Sequence, residues 1–197
     1  MFLRFAWLVF VFSVFGSFAT ESINVFVVSS HDFQLAQPES NWTLHVQSLI
    51  EDANQTLGVF VDKKFVISEF ETINESQFDL SKMRFEPDLR LLQKAYSKQA
   101  LARTNSDLVV FFDFLPDDVF DKIKRKPEAL ISDRVVMGGA QFYEPYVFVR
   151  AEGLYAPNLM RLRLIHELAH VFGAVEISDQ SSIMYSIINQ QVKFDPY

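Results

Sequence analysis

Residues 166–176 read His166-Glu-Leu-Ala-His170-Val-Phe-Gly173-Ala-Val-Glu176 (HELAHVFGAVE). Histidines four apart on a helix lie one above the other on the same face, so both imidazoles can be offered to one ion. Glu167 stands beside that pair, where a carboxylate can accept a proton from water polarised by the ion. Leu164, Leu168 and Val171 are interleaved with these polar residues, so the helix has an apolar side on which unpaired histidines would be costly to bury. Gly173 follows three residues after His170, where a helix can stop and reverse through positive φ. The spacing predicts a helix from about Pro157 to Phe172 with His166 and His170 as zinc ligands and Glu167 as general base. Zinc suits that role because it lowers the pKa of a bound water to about 7.

A zinc site of this kind calls for a third protein ligand. After His170 the carboxylates are Glu176, Asp179 and Asp195, and no long helical pattern follows that could carry a distant glutamate ligand. A carboxylate oxygen is an acceptable zinc ligand. Glu176, Asp179 and a site with no true third ligand all stay open at this point. His31 and His45 fall near the first strand and on the first helix, away from the motif.

HELAHVFGAVE, followed by Ser181-Ser-Ile-Met-Tyr-Ser186, resembles the metzincin pattern of zinc metalloproteases, H-E-x-x-H-x-x-G-x-x-H with a downstream Met-turn. The Met-Tyr pair is most similar to matrixin-like turns. The resemblance implies that Met184 floors the metal site with Tyr185 packed nearby, and that the last motif position, Glu176 here in place of histidine, is the third ligand. It also implies an edge strand over the cleft that pairs with extended substrate, for which Gly139, Ala140, Gln141, Phe142 and Tyr143 are the candidates. A bare, glycine-weakened edge is the plainer reading of those five residues.

The rest of the chain is read for what could carry such a site. Residues 1–19 have one early cation, Arg4, an apolar run from Phe5 to Phe15 and small residues at Ser17 and Ala19. They resemble a cleaved export signal, which predicts a secreted or extracytoplasmic protein with no membrane contact after cleavage behind Ala19. Cleavage would take the formal net charge from −7 to −8, a poor match for a nucleic-acid backbone. There is no cysteine, so neither disulfides nor thiolate ligands contribute. The sequons at Asn41, Asn54 and Asn74 would be glycan acceptors in a eukaryote.

Residues 20–197 lack repeats and flexible linkers, which predicts one catalytic domain. Strands are expected at Ile23–Val28, within 64–73, at 107–115, at 135–143 and at 146–150. Val46, Leu49, Ile50, Ala53 and Leu57 predict one helix stopped by Gly58, and Leu91, Leu92, Ala95, Tyr96 and Ala100 a second that opens at Pro87. Residues 74–86 and 116–134 read as loop and connector. The paired glycines Gly138-Gly139 put their strand at an edge.

The order implies an α/β, metzincin-like zincin domain: a mixed twisted sheet, an active-site helix, a Met-turn and a short C-terminal subdomain. The expected activity is that of a zinc endopeptidase with one catalytic Zn2+ and a peptide or protein substrate. A catalytically weak peptide-binding protein on the same fold is the alternative. The sequence does not set the subunit number.

Overall fold

The computed structural model describes residues 21–36, 41–73, 89–115, 138–152, 157–179 and 181–184. The residues read as an export signal, both predicted connectors, the expected helix start at Pro87, Val135–Met137 and Tyr185 lie outside them. Five strands form one sheet: β1 (Glu21–Ser29), β2 (Lys63–Thr72), β3 (Leu108–Leu115), β4 (Gly138–Ala140) and β5 (Tyr146–Glu152). Their spatial order is β2-β1-β3-β5-β4. β1 runs parallel to β2 and β3, and β3 parallel to β5, while β4 is antiparallel to β5.

β1, β3 and β5 are buried on both faces, which explains their unbroken apolar runs. Alternate residues serve two cores. Val25, Val27, Val110, Phe112, Val147 and Val149 face the long helices α2 (Trp42–Val61) and α5 (Pro157–Val171). Phe26, Val28, Val109, Phe111, Tyr146 and Phe148 face the short helices α3 (Leu89–Ala95) and α4 (Lys98–Arg103). A further short helix, α1 (His31–Ala36), follows β1 directly and begins where the Ser30 hydroxyl accepts from the Phe33 amide.

Three helical expectations are corrected by local chemistry. Gly58 does not end α2. The helix runs on to Val61 and stops at Asp62, which adopts φ 50° and returns its N–H to the Gly58 carbonyl. The second helix is broken in two at Tyr96-Ser97, and the Tyr96 side chain turns to the second core, where its ring meets Phe26 edge-on. α1 has no counterpart among the expected elements, because six residues are too few to show periodicity.

Two polar features tie elements together. The Asn54 side-chain amide on α2 both donates to and accepts from the backbone of Phe65 on β2, at 3.0 and 2.7 Å. It serves as a bridge between α2 and β2. On the second-core face, Arg150 is fully buried and its Nε donates to Asp113 at 2.9 Å, with its guanidinium over the Phe148 ring. Among the described residues no helix is long and apolar enough to cross a membrane.

Candidate metal centre

α5 is the element that positions the site. It packs against β5, β4 and α2, and its residues from Leu162 to His170 are all buried. Leu164, Ile165, Leu168 and Ala169 join the first core, leaving His166, Glu167 and His170 on the side toward β4 and the 173–184 loop. Ligand atoms of these three residues lie within 4.8 Å of one another, the one such acidic and histidine cluster among the described residues.

Each imidazole is oriented by a backbone carbonyl. His166 Nδ1 lies 2.6 Å from the Ile183 carbonyl oxygen, and His170 Nδ1 lies 2.7 Å from that of Ala174. A carbonyl only accepts, so both Nδ1 atoms carry the proton and donate. In the neutral rings both Nε2 atoms then carry lone pairs, and they face each other at 3.0 Å. Two buried acceptors this close repel unless a cation lies between them.

This geometry is the test of whether the residues fit a metal, and they do. Tetrahedral zinc bound to two imidazoles at 2.0–2.1 Å separates their nitrogens by about 3.3 Å, close to the spacing seen. The Nδ1–carbonyl bonds are the outer contacts that hold a ligating imidazole in its tautomer and raise its basicity. Burial pushes the His166 pKa down, with a further push from His170, against the upward pull of the Ile183 hydrogen bond and the Glu176 charge. The ring thus prefers its neutral, ligating form.

Gly173 makes the second carbonyl available. It adopts φ +90°, with its N–H bonded to the His170 carbonyl and the Ala174 N–H to the Ala169 carbonyl. This paired closure of a helix end swings the chain so that the Ala174 carbonyl meets the His170 ring. The loop then returns: the Ile177 N–H bonds the Met184 carbonyl, and Met184 is buried in the first core.

Glu167 is buried beside the histidines. Burial first, and the Glu176 charge second, push its pKa up to about 8. Glu176 itself is exposed and lies outside the three-residue cluster, although its charge acts on both His166 and Glu167. Asp179 is exposed as well. One of its carboxylate oxygens accepts from the Ser181 amide and hydroxyl at 2.9 and 2.8 Å, bonds that hold its pKa below the usual range.

The candidate substrate strand is shorter than expected. β4 ends at Ala140, with Gly139 and Ala140 paired to Phe148 and Val147 at the sheet edge. Gln141, Phe142 and Tyr143 instead form a turn, closed by Glu144 N–H donating to the Gln141 carbonyl. The turn is drawn onto α5: the Tyr143 N–H donates to the Val171 carbonyl, and the Phe142 ring meets His170 edge-on at 5.5 Å. Tyr143 takes φ 61°, a conformation that alternating-strand patterns do not anticipate. The sequence also left out Ala174 and Ile183. They act through backbone carbonyls, which no side-chain pattern reveals.

The sequence matches no family model and no curated protein. The fold does have counterparts. One is archaemetzincin from Methanopyrus kandleri, at TM-score 0.52 and 16% identity, covering 85% of this chain and 82% of that one. The fold is zincin-like. A protein solved in a chaperone–substrate complex aligns at TM-score 0.52 and 13% identity over 82% of this chain, which spans 27% of that protein. Metalloproteinase-II from Bacteroides fragilis aligns at TM-score 0.49 and 11% identity, over 88% of this chain and 49% of that one. The zincin-like domain carries its His-Glu-His cluster on the long helix α5.

Proposed function

We propose that this chain is an exported zinc-dependent endopeptidase. The observation that carries the reading is the pair of Nε2 lone pairs at 3.0 Å, each imidazole locked by a carbonyl, with a buried carboxylate next to them. Zinc, when bound, supplies Lewis acidity toward the scissile carbonyl and acidifies the attacking water. His166 and His170 hold the ion. Glu167 takes the proton of the attacking water and delivers it to the departing amine. Met184 is buried in the first core, and in this reading it would form the floor of the metal site. The edge at Gly139–Ala140 offers backbone groups to an extended peptide.

The third ligand in this reading is Glu176. It sits on a loop anchored on either side, by the Ala174 carbonyl on His170 and the Ile177 N–H on Met184. Asp179 is the lesser choice because its carboxylate is engaged with Ser181. The exposure of Glu176 also favours a second reading, a peptide-binding protein with weak or no catalysis. Glu167 speaks for the enzyme, since a binding module has no use for a buried base.

The deciding experiment measures zinc stoichiometry and peptide cleavage for wild type, Glu167→Ala and Glu176→Ala. The enzyme reading expects one zinc and cleavage in wild type, with zinc but no cleavage in Glu167→Ala. Zinc loss in Glu176→Ala assigns the third ligand. A wild type that binds no zinc and cleaves no better than Glu167→Ala sinks the enzyme reading.

A further inference from the structure

Glu167 is held from a direction the motif does not mention. A β-carbon placed on Gly138 would lie 2.9 Å from both Cγ and Cδ of Glu167, and nearer still to Oε1. Side chains do not approach so closely, so the glutamate occupies the volume that any other residue at 138 would fill. Among the described glycines only Gly173 has positive φ. The backbone at 138 is thus open to any L-residue, and what glycine provides there is space. The direction of that space is fixed, since Gly138 pairs with Val149, a residue of the first core, and cross-strand partners share a face.

We propose that Gly138 is a positioning residue for Glu167: the missing side chain on β4 is the slot in which the carboxylate lies. The pairing of β4 to β5 sets the depth of that slot and therefore the place of the carboxylate relative to the two histidines. Because β4 is also the sheet edge, the residue that orients Glu167 belongs to the same strand as the backbone offered to a substrate. The catalytic consequence rests on the peptidase reading; the slot does not.

The test is a double-mutant cycle of Gly138→Ala and Glu167→Asp, the latter shortening the carboxylate by one methylene. Thermal unfolding of zinc-free protein, zinc stoichiometry, kcat and KM are measured on all four proteins. Alanine for glycine in a strand ordinarily stabilises. Here Gly138→Ala should instead lower Tm by about 4 °C or more. It should retain zinc and lower kcat about 100-fold at nearly constant KM, because the base is misplaced while binding is not.

The double variant should lose less Tm and less kcat relative to Glu167→Asp than Gly138→Ala loses relative to wild type, because aspartate withdraws the atoms beyond Cγ. If Gly138→Ala alone does not fold, recovery of folded protein in the double variant carries the same support. Failure of both to fold overturns the proposal. So do penalties that add in full, or a Gly138→Ala protein with wild-type Tm and kcat. A wild type with neither zinc nor cleavage removes the peptidase reading by itself, and the Tm cycle then decides the slot alone.

Discussion

Replacing Gly173 by alanine should damage the site without touching a ligand. The residue sits at φ +90°, and a β-carbon there would come within 2.9 Å of Tyr143 Cζ and nearer to its hydroxyl. The chain has two ways to respond. It can keep the turn, at about 1–2 kcal/mol for an L-residue with left-handed backbone, and displace the exposed Tyr143 ring. It can instead give up the turn, losing the Gly173–His170 and Ala174–Ala169 hydrogen bonds at about 1 kcal/mol each.

The cheaper route sets the loss, so about 1–2 kcal/mol is expected, or about 0.5–1 M in urea midpoint for a slope near 2 kcal/mol/M. The second route shifts the Ala174 carbonyl from His170 Nδ1, whereas the first leaves it in place. Loss of such an outer contact weakens metal binding about 10–100-fold. Urea unfolding monitored by circular dichroism gives the first number and competitive zinc titration the second. Adding Tyr143→Ala should recover the steric part of the stability loss. A Gly173→Ala protein with wild-type midpoint and zinc affinity would show that the turn does not hold the carbonyl in place.

Three other outcomes can be checked. Zinc at a hundredfold excess over its dissociation constant should stabilise the fold by about 2.7 kcal/mol, raising Tm by about 5–11 °C at this chain length; calorimetry on His170→Ala should show no such rise. Asp113→Ala removes one carboxylate partner of the fully buried Arg150, and should cost about 1.5–3 kcal/mol in chemical denaturation, the worth of a charge-assisted hydrogen bond. Tyr96 is raised above its ordinary pKa of 10.0, first by burial and then by Glu71, to which its hydroxyl donates. Its folded form keeps a proton that the unfolded chain loses, so the stabilisation is complete below pH 10 and is lost as pH rises above it. Tyr146 shifts the same way, again first through burial. Stability measured from pH 9 to 11 should fall steeply in wild type and less steeply in Tyr96→Phe.

How much could be read in the sequence depended on whether side chains or backbone carried the information. β1 and β3 were legible because strands buried on both faces must be apolar throughout. α5 was legible because two histidines and a glutamate at helical spacing are costly to bury without a purpose. The end of α2 was not, since glycine at 58 can stay helical and asparate-type residues such as Asp62 can adopt left-handed φ at modest cost. The turn at Gln141–Tyr143 was misread as strand for a related reason: its aromatic residues fit a strand by composition, whereas the Tyr143 N–H finds its partner on α5.

The same division explains why the third ligand is the hardest part of the site to read. His166 and His170 are fixed by α5, but their ring orientations come from carbonyls at 183 and 174, both in one loop that closes on itself through Ile177 and Met184. The loop therefore acts on the metal site twice through backbone before any side chain on it contributes. Glu176 lies between those anchors, exposed and close enough for its charge to raise the pKa values of His166 and Glu167. A histidine in its place would bring no fixed negative charge. A glutamate there opposes ionisation of Glu167 while it stays outside the cluster, and that opposition would weaken once its charge was shared with a cation. If Glu176 is the third ligand, as proposed above, metal capture and the readiness of the base would be coupled through one side chain, which a motif read letter by letter treats as a simple exchange of ligand.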